Sequence, residues 1–166
     1  MKVQLNDGLG QMGSVLKAMK IQCKKPTVIY HTWIPWDKTE DTQRRCCWDF
    51  IRFVENNQNK RIVFISTSTQ IPSPYLKYKR QAERFLVDNH RDYKILQFPQ
   101  IVGKGICSKF KDGTAKPYGT MEVLSMEKAV KIIKLEFARD YPKSLCCFGT
   151  RIPAELVYKL IKFGGN

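Results

Sequence analysis

The sequence predicts an α/β domain over residues 1–166, built on a parallel sheet of about five strands with helices on both faces. Short apolar, β-rich runs alternate along the chain with amphipathic helical segments, a pattern typical of parallel strands joined by right-handed crossovers. A glycine-rich turn also joins the first strand to the first helix. A chain of 166 residues that is 43% hydrophobic is long enough to bury one core.

The expected elements follow one another in a regular order. The predicted strands cover residues 1–5, 26–32, 61–66, 93–102 and 144–150. The predicted helices begin near Ser14 and then cover residues 37–56, 74–89, 125–140 and 153–163. Residues 103–117 are expected to form a loop. The run at 61–66 is the most apolar and β-rich, which favours a buried central strand.

The helix that follows the central strand carries the main chemical signal. Ser73 is its predicted N-cap and Pro74 its first residue. Tyr75 and Lys79 are four residues apart, so they share one helix face. A nearby ammonium and the positive end of a helix both lower the pKa of a phenol, which is ordinarily about 10. We therefore expect a tuned phenol that exchanges protons with a carbonyl or an alcohol.

A hydroxyl is expected beside that phenol. Ser68 lies just beyond the end of the central strand and would hold the reacting oxygen, and Thr67 is the alternative. The Tyr-x-x-x-Lys spacing alone carries little weight, because Tyr158 and Lys162 repeat it with no strand or serine before them. That second pair is interpreted as a surface helix face.

Three stretches resemble the extended short-chain dehydrogenase/reductase family, which includes nucleotide-sugar epimerases, dehydratases and reductases. FISTSTQIPSPYLKYKRQAERFL is similar to the catalytic segment of that family, with a serine-rich turn and Tyr-x-x-x-Lys opening a helix. YKILQFPQIVGKG, at residues 93–105, is similar to its next strand and proline–glycine loop. DGLGQMGSVL, at residues 7–16, resembles its glycine-rich first turn.

The resemblance implies NAD or NADP as cofactor and a nucleotide-linked sugar or related carbonyl as substrate, which is a phosphorylated small molecule. It implies Tyr75 as the acid/base, Lys79 as the group that holds the cofactor ribose, and Ser68 at the reacting oxygen. The implied cofactor-binding positions are Gly8, Gly10, Gly13, His31, Lys79 and Pro99. No metal is implied.

The chain departs from that family in its first half. The family pattern G-x-x-G-x-x-G would place its first glycine at Asp7, and the carboxylate there would repel a pyrophosphate. The related pattern G-x-G-x-x-G does begin at Gly8. No acidic residue lies between Gly8 and Trp36, and two strand–helix units that would hold adenosine are missing. The sequence therefore predicts a shortened Rossmann-like domain that binds NAD(P) weakly or not at all, with a plain tight turn as the alternative. A smaller substrate-binding lobe is expected to be mostly absent.

The positive net charge indicates a second class of function, the binding of an anionic partner. The net charge is +14 and the isoelectric point is about 9.6, which favours an anionic partner. Four lysines of the expected loop could contact a phosphorylated substrate or another anion: Lys104, Lys109, Lys111 and Lys116. A second lysine group covers residues 17–25. The alternatives are a degenerate relative that binds nucleic acid or an acidic protein, a structural subunit of an assembly, and charge that reflects composition alone.

Six cysteines and the N-terminal stretch limit where the chain is expected to act. The cysteines include two adjacent pairs and no C-x-x-C, which indicates neither a zinc site nor a disulfide framework. Buried free thiols in a reducing compartment are the expectation. The stretch MKVQLNDG is too polar for a signal peptide, and no apolar run is long enough to cross a membrane. The sequence therefore predicts a cytoplasmic protein.

Overall fold

The computed structural model of the chain describes residues 4–5, 11–18, 23–102, 113, 118–137 and 139–163. In this part of the chain, strands and helices alternate as the sequence predicts. The elements are β1 (Gln4–Leu5), α1 (Gln11–Ala18), β2 (Thr27–Tyr30), α2 (Glu40–Glu55), β3 (Arg61–Thr67), α3 (Pro74–Asn89), β4 (Tyr93–Phe98), β5 (Gln100–Val102), β6 (Thr120–Ser125), α4 (Met126–Phe137), β7 (Ser144–Cys146), β8 (Thr150–Pro153) and α5 (Ala154–Phe163).

The main sheet has five strands in the order β1-β2-β3-β4-β7, and every neighbouring pair is parallel. The predicted five-stranded parallel sheet is therefore confirmed. β3 is its central strand and pairs with β4 over six residues, from Ile62 opposite Tyr93 to Thr67 opposite Phe98. β3 is also almost wholly buried, as its apolar run predicts.

Two apolar clusters cover the two faces of this sheet, because successive strand residues point in opposite directions. Ile62 and Phe64 of β3 pack with α2 and α3, where the rings of Phe50 and Phe64 stack with centroids 4.2 Å apart. Val63 of β3 packs with α1 and α4, including Leu16 of α1. Helices on both faces are thus confirmed.

The predicted handedness of the crossovers is wrong for at least one connection. The chain steps in the same direction from β1 to β2 and from β2 to β3. α1, which joins the first pair, and α2, which joins the second, nevertheless lie on opposite faces. The hand of a crossover depends on the direction of the step and on the face that the helix covers, so these two connections have opposite hands.

A second sheet of three strands, in the order β5-β6-β8, was not predicted. The expected strand at 93–102 is broken at Pro99, which lacks the N–H that a continuous ladder needs, so β5 leaves the main sheet and pairs with β6. The expected strand at 144–150 divides in the same way into β7 and β8, and β8 pairs antiparallel with β6. The smaller sheet is therefore more substantial than the sequence suggests.

The remaining composition-based expectations have mixed outcomes. No helix in the part of the chain that the structure describes is long and apolar enough to cross a membrane. Four cysteines are buried and free, namely Cys23, Cys46, Cys47 and Cys147. Cys146 is free but exposed, because it alternates with residues that face the core in the edge strand β7, and this corrects the expectation of buried thiols. Cys107 lies outside the described residues.

Candidate active site

The end of β3 and the start of α3 form the centre of the site. The Ser73 hydroxyl accepts a hydrogen bond from the Leu76 N–H at 3.2 Å, and Pro74 is the first helical residue. The cap pairs a backbone N–H that has no partner within the first turn. Proline is suited to the first helical position, because an N–H there would have no partner in the helix. The helix that carries Tyr75 therefore begins where the sequence predicts.

Tyr75 meets a hydroxyl at the end of the central strand. Its phenol interacts with the side chain of Thr67, whose hydroxyl accepts the Thr69 N–H at 3.3 Å. The Ser68 N–H donates to the Phe98 carbonyl at 2.9 Å and continues the β3–β4 ladder. Because successive side chains alternate along such a ladder, Ser68 and Thr67 point in opposite directions. The structure thus brings Thr67, the alternative partner, to Tyr75.

Lys79 is more deeply buried than the sequence suggested. Only 3% of the residue is exposed, and its Nζ donates to the Ile65 carbonyl at 3.0 Å. The Nζ lies 4.2 Å from the ring centroid of Trp33 and 4.5 Å from that of Phe64, but 6.0 Å from that of Tyr75. Burial lowers the pKa of Lys79 to about 7, although the carboxylate of nearby Glu83 acts in the opposite direction.

The expected lowering of the Tyr75 pKa is wrong. Burial raises the pKa of the Tyr75 phenol above its usual value, and this effect exceeds the opposing effects of the Thr67 side chain and the Arg80 charge. Lys79 does not contribute, because its ammonium contacts two other rings and is itself close to losing its proton at neutral pH. At neutral pH the phenol is therefore fully protonated.

A buried carboxylate that the sequence analysis missed holds this region together. Glu83 of α3 accepts hydrogen bonds from the Ser66 hydroxyl of β3 and from the Gln97 amide of β4, the latter at 3.0 and 3.1 Å. Arg80 binds both oxygens of Glu83 at 2.7 and 2.8 Å and also reaches the carbonyl of Thr69 at 3.5 Å. The carboxylate is fully satisfied and fixes α3 against two strands.

The spacing of Glu83 could have suggested this role. Glu83 is four residues after Lys79 and eight after Tyr75, so all three lie on one helix face. An acidic residue on the helix face that packs against a buried strand needs buried hydrogen-bond donors for its carboxylate. The identity of those donors, Ser66 and Gln97, depends on the strand register and is not readable from the helix alone.

A second buried polar side chain shapes the segment after β2. The indole N–H of Trp33 donates to the Gln43 amide oxygen at 2.6 Å, and the Gln43 amide nitrogen donates to the carbonyl of Ile34 at 2.7 Å. Gln43 is completely buried in α2. These bonds hold the Trp33 ring where it covers the Nζ of Lys79. His31 is half-buried just after β2.

The remaining predicted positions are only partly described. Pro99 lies between β4 and β5, and Gly13 is buried within α1, which starts at Gln11 rather than near Ser14. His31, Thr67 and Pro99 follow or end neighbouring parallel strands, so they share the carboxyl edge of the sheet. Six predicted positions lie outside the described residues: Gly8, Gly10, Lys104, Lys109, Lys111 and Lys116. The described residues contain no cluster of His, Cys, Asp and Glu suited to a metal ion.

Solved structures share this fold, whereas no protein-family model and no curated protein sequence matches the chain. A hypothetical dTDP-4-dehydrorhamnose reductase from Sulfolobus tokodaii is 15% identical, with a TM-score of 0.70, over 100% of this chain and 83% of that one. A dTDP-4-dehydrorhamnose reductase from Bacillus anthracis, solved with NADP, is 13% identical, with a TM-score of 0.67, over 91% of this chain and 65% of that one.

A third similar structure is the Bordetella bronchiseptica enzyme WbmG in complex with NAD and UDP. It is 14% identical, with a TM-score of 0.64, over 81% of this chain and 54% of that one. The chain spans 54–56% of the length of three structures of WbmG and WbmH. At these identities the likeness establishes the fold, and it confirms the predicted Rossmann-like architecture in a shortened form.

The depressed pKa of Lys79 predicts how stability depends on pH. The folded value of about 7 lies below the unfolded value of 10.5, so between these values the unfolded chain holds one more proton. The free energy of unfolding should therefore rise with pH, by about 2 kcal/mol between pH 7 and pH 9. The measurement is urea unfolding of the native chain and of Lys79→Met at each pH.

Lys79→Met is the matched comparison, because methionine keeps the length of the side chain and removes the titrating group. The difference in unfolding free energy between the two proteins isolates Lys79 from the other groups that titrate in this range. Parallel pH profiles for the two proteins would show that Lys79 keeps an ordinary pKa.

Proposed function

We propose that the chain is an NAD(P)-dependent oxidoreductase or epimerase that acts on a nucleotide-linked sugar or a related carbonyl, with Tyr75 as its acid/base. The observation that carries the proposal is the placement of the Tyr75 phenol beside the Thr67 side chain, at the carboxyl end of the central strand. In open parallel sheets, ligands bind at this edge. A phenol and a second hydroxyl there can hold one substrate oxygen between them.

Each side chain has a distinct role in this proposal. Tyr75 gives its proton to the carbonyl oxygen, and its phenol is protonated at neutral pH. Thr67 orients the phenol, and Ser68 is the second candidate for contact with the substrate oxygen. Glu83 acts as a positioning residue, because it ties α3 to β3 and β4. Lys79 supports the Tyr75 ring from within the core.

The fit to a dinucleotide is partial. α1 begins a few residues after β1, so its positive N-terminal end lies at the same edge as Thr67, where a pyrophosphate would sit. Gly8, Gly10 and Gly13 would face that group, with His31 and Pro99 toward the nicotinamide half, whereas the Nζ of Lys79 is bonded to the Ile65 carbonyl within the core. β1 is the edge of the described sheet, so no described strand lies beyond it to hold adenosine. A bound NAD(P) would supply or accept the hydride.

The similar structures support this assignment of ligands. WbmG was solved with NAD and UDP, and the Bacillus anthracis reductase with NADP. A nucleotide diphosphate substrate is anionic, and the basic loop would contact it through its four lysines, Lys104, Lys109, Lys111 and Lys116. The net charge of +14 favours the same kind of ligand.

The proposal is tested by binding and turnover with the full chain. Titration calorimetry with NAD, NADP, NADH and NADPH measures the cofactor, and absorbance of the reduced nicotinamide follows turnover of dTDP-linked and UDP-linked sugars. Binding of one cofactor together with turnover of a nucleotide-linked sugar is the expected result. Absence of both, from protein that is shown to be folded, would overturn the proposal.

Asp7→Gly is expected to strengthen cofactor binding. Like charges about 4 Å apart repel by roughly 1 kcal/mol in water and about 4 kcal/mol at an effective dielectric of 20. Removing the carboxylate should therefore tighten the dissociation constant by about one to three orders of magnitude. Titration calorimetry of the two proteins with the same cofactor measures the change.

A second substitution of Asp7 separates the effect of its charge from the effect of backbone flexibility, and a substitution elsewhere serves as control. Asp7→Asn removes the charge and keeps the side-chain size, so it should reproduce most of the gain. Asp88→Asn, at an exposed position in α3, is the matched control and should change nothing. Equal affinity in the native chain, Asp7→Gly and Asp7→Asn would mean that Asp7 does not face the pyrophosphate.

A further inference from the structure

The edge of the main sheet opposite the candidate active site carries a strong excess of positive charge. The segments that precede β2, β3, β4 and β7 meet there, because parallel strands begin at the same edge. Their basic residues are Lys24, Lys25, Lys60, Arg61, Arg91, Arg139 and Lys143, and their acidic residues are Asp92 and Asp140. Glu55 and Asp88 lie in the last turns of the neighbouring helices. When these two acids are counted as well, the surface still has an excess of three positive charges. We call this surface the amino edge.

Ion pairs join the four segments of the amino edge into one surface. Arg61 is 8% exposed and donates to Asp92 at 2.9 Å and to Asp140. Lys25 contacts the same Asp92 at 3.2 Å, and the Nζ of Lys143 donates to the carbonyl of Arg91 at 2.9 Å. The two acids are thus occupied by a buried arginine and one lysine.

Arg139 pairs with Glu136, and the remaining four cations of the amino edge have no acidic partner in the described part of the chain. Among the described residues, Lys24, Lys60, Arg91 and Lys143 form no ion pair with an acidic side chain. Lys24 and Arg91 are exposed. A fixed set of unpaired cations on a chain of net charge +14 attracts a polyanion, and the buried Arg61 pairs keep their relative positions constant.

Two features of the amino edge favour a nucleic acid over an acidic protein. A hollow of about 380 Å³ is lined by four cations, one acid, a proline and three amide residues: Lys25, Lys60, Arg61, Arg91, Asp92, Pro26, Gln58, Asn59 and Asn89. Tyr141 follows Asp140 directly and is 74% exposed. Cations neutralise phosphates, amides bond to base edges, and an exposed ring stacks on an unpaired base.

We propose that the amino edge binds single-stranded nucleic acid, through phosphate contacts from Lys24, Lys60 and Arg91 and a base stacked on Tyr141. This activity is separate from the proposed catalysis. The seven residues of β3 span about 23 Å at roughly 3.3 Å per residue, so the two sites lie at opposite ends of the strands. Both can be occupied at once.

The test measures fluorescence anisotropy of labelled 15-nucleotide oligo(U) RNA and oligo(dT) DNA with the full chain, over a series of salt concentrations. The triple variant Lys24→Gln, Lys60→Gln, Arg91→Gln should bind at least tenfold more weakly. For single strands the slope of log K against log salt is about −0.7 per neutralised phosphate, so its magnitude should fall by about 2. Tyr141→Ala should lower affinity about fivefold or more.

The matched control neutralises three exposed lysines elsewhere, in Lys38→Gln, Lys128→Gln, Lys131→Gln. This variant has the same net charge as the amino-edge variant and should keep most of the affinity. Preference for oligo(U) or for oligo(dT) assigns the partner as RNA or DNA, and either preference supports the proposal. Three results would overturn it: no binding at low salt, equal losses in the two triple variants, or tight binding of polyglutamate with no effect of Tyr141→Ala.

Discussion

Replacing Tyr75 with phenylalanine should lower the turnover number by about 10²–10⁴-fold, which is the usual contribution of a positioned acid or base. The substitution removes only the hydroxyl that interacts with Thr67, and the aromatic ring is retained. Substrate affinity should change much less than turnover, because the proton moves only in the transition state. Initial rates with a nucleotide-linked carbonyl substrate, at several substrate concentrations, separate the two quantities.

Tyr78→Phe is the matched control for this prediction. Tyr78 lies one turn further along the same helix, and its hydroxyl donates to Glu40 at 2.8 Å, away from Thr67. Its loss should cost about 1 kcal/mol of stability and leave turnover within a few-fold of the native value. Thr67→Val should lower turnover while leaving the fold intact, because it removes the partner that orients the phenol. Equal rates in Tyr75→Phe and the native chain would exclude Tyr75 as the acid.

The start of α3 could be predicted because its signals are local. Ser73, Pro74 and Tyr75 fix a cap, a first residue and a helix face within three positions. The partner of Tyr75 was harder to choose, because Ser68 and Thr67 differ only in which side of the strand they occupy. A shift of one residue in register exchanges the two faces, and the sequence alone sets that register weakly at a strand end.

The burial of Lys79 could not be predicted from its own segment. Its partner ring belongs to Trp33, and that ring is held by Gln43 of another helix. A lysine that is four residues from a tyrosine suggests an ion near the phenol, but the cation in fact lies against two aromatic faces. Long-range packing thus determines both pKa shifts at the site.

The opposite hands of the first two crossovers fit the loss of part of a larger sheet. In a doubly wound sheet the chain steps from the first strand in one direction and later returns to continue in the other. The helix after the first strand therefore covers the face opposite to the later helices. If the intervening units are removed, α1 keeps its face while the chain steps directly from β1 to β2, as it does here. The sequence predicted the missing units but not this consequence.

Lys94 shows a signal that sequence analysis passed over. In β4 it occupies the same face as Leu96 and Phe98, which are both buried in the cluster under α4. A lysine in the inward register of a buried strand requires a buried anion or several carbonyls. The structure supplies both, because the Nζ donates to the Glu136 carboxylate at 2.8 Å and to the carbonyls of Glu136 and Arg139 at 2.9 Å.

Lys94→Met should lower the free energy of unfolding by about 3–5 kcal/mol, because it removes the buried cation of Glu136 and leaves that carboxylate only the exposed Arg139 at 3.5 Å. Lys94 is 2% exposed and Glu136 is 4% exposed, so water cannot replace the lost contact. Urea unfolding followed by tryptophan fluorescence measures the change. Lys131→Met is the matched control: its partner Glu127 is also on α4 at 2.8 Å, but the pair is exposed, so its loss should change stability far less than the loss of Lys94.

The double variant Lys94→Met, Glu136→Leu shows whether Lys94→Met loses stability through a buried carboxylate without its buried cation or through lost packing. Removing the second member of the pair takes away the uncompensated carboxylate, so the double variant should be more stable than Lys94→Met alone. Recovery should stay incomplete, because the carbonyls of Glu136 and Arg139 still lack the donor that Lys94 provided. A double variant less stable than Lys94→Met would show that the loss comes from packing under α4 rather than from the buried charge.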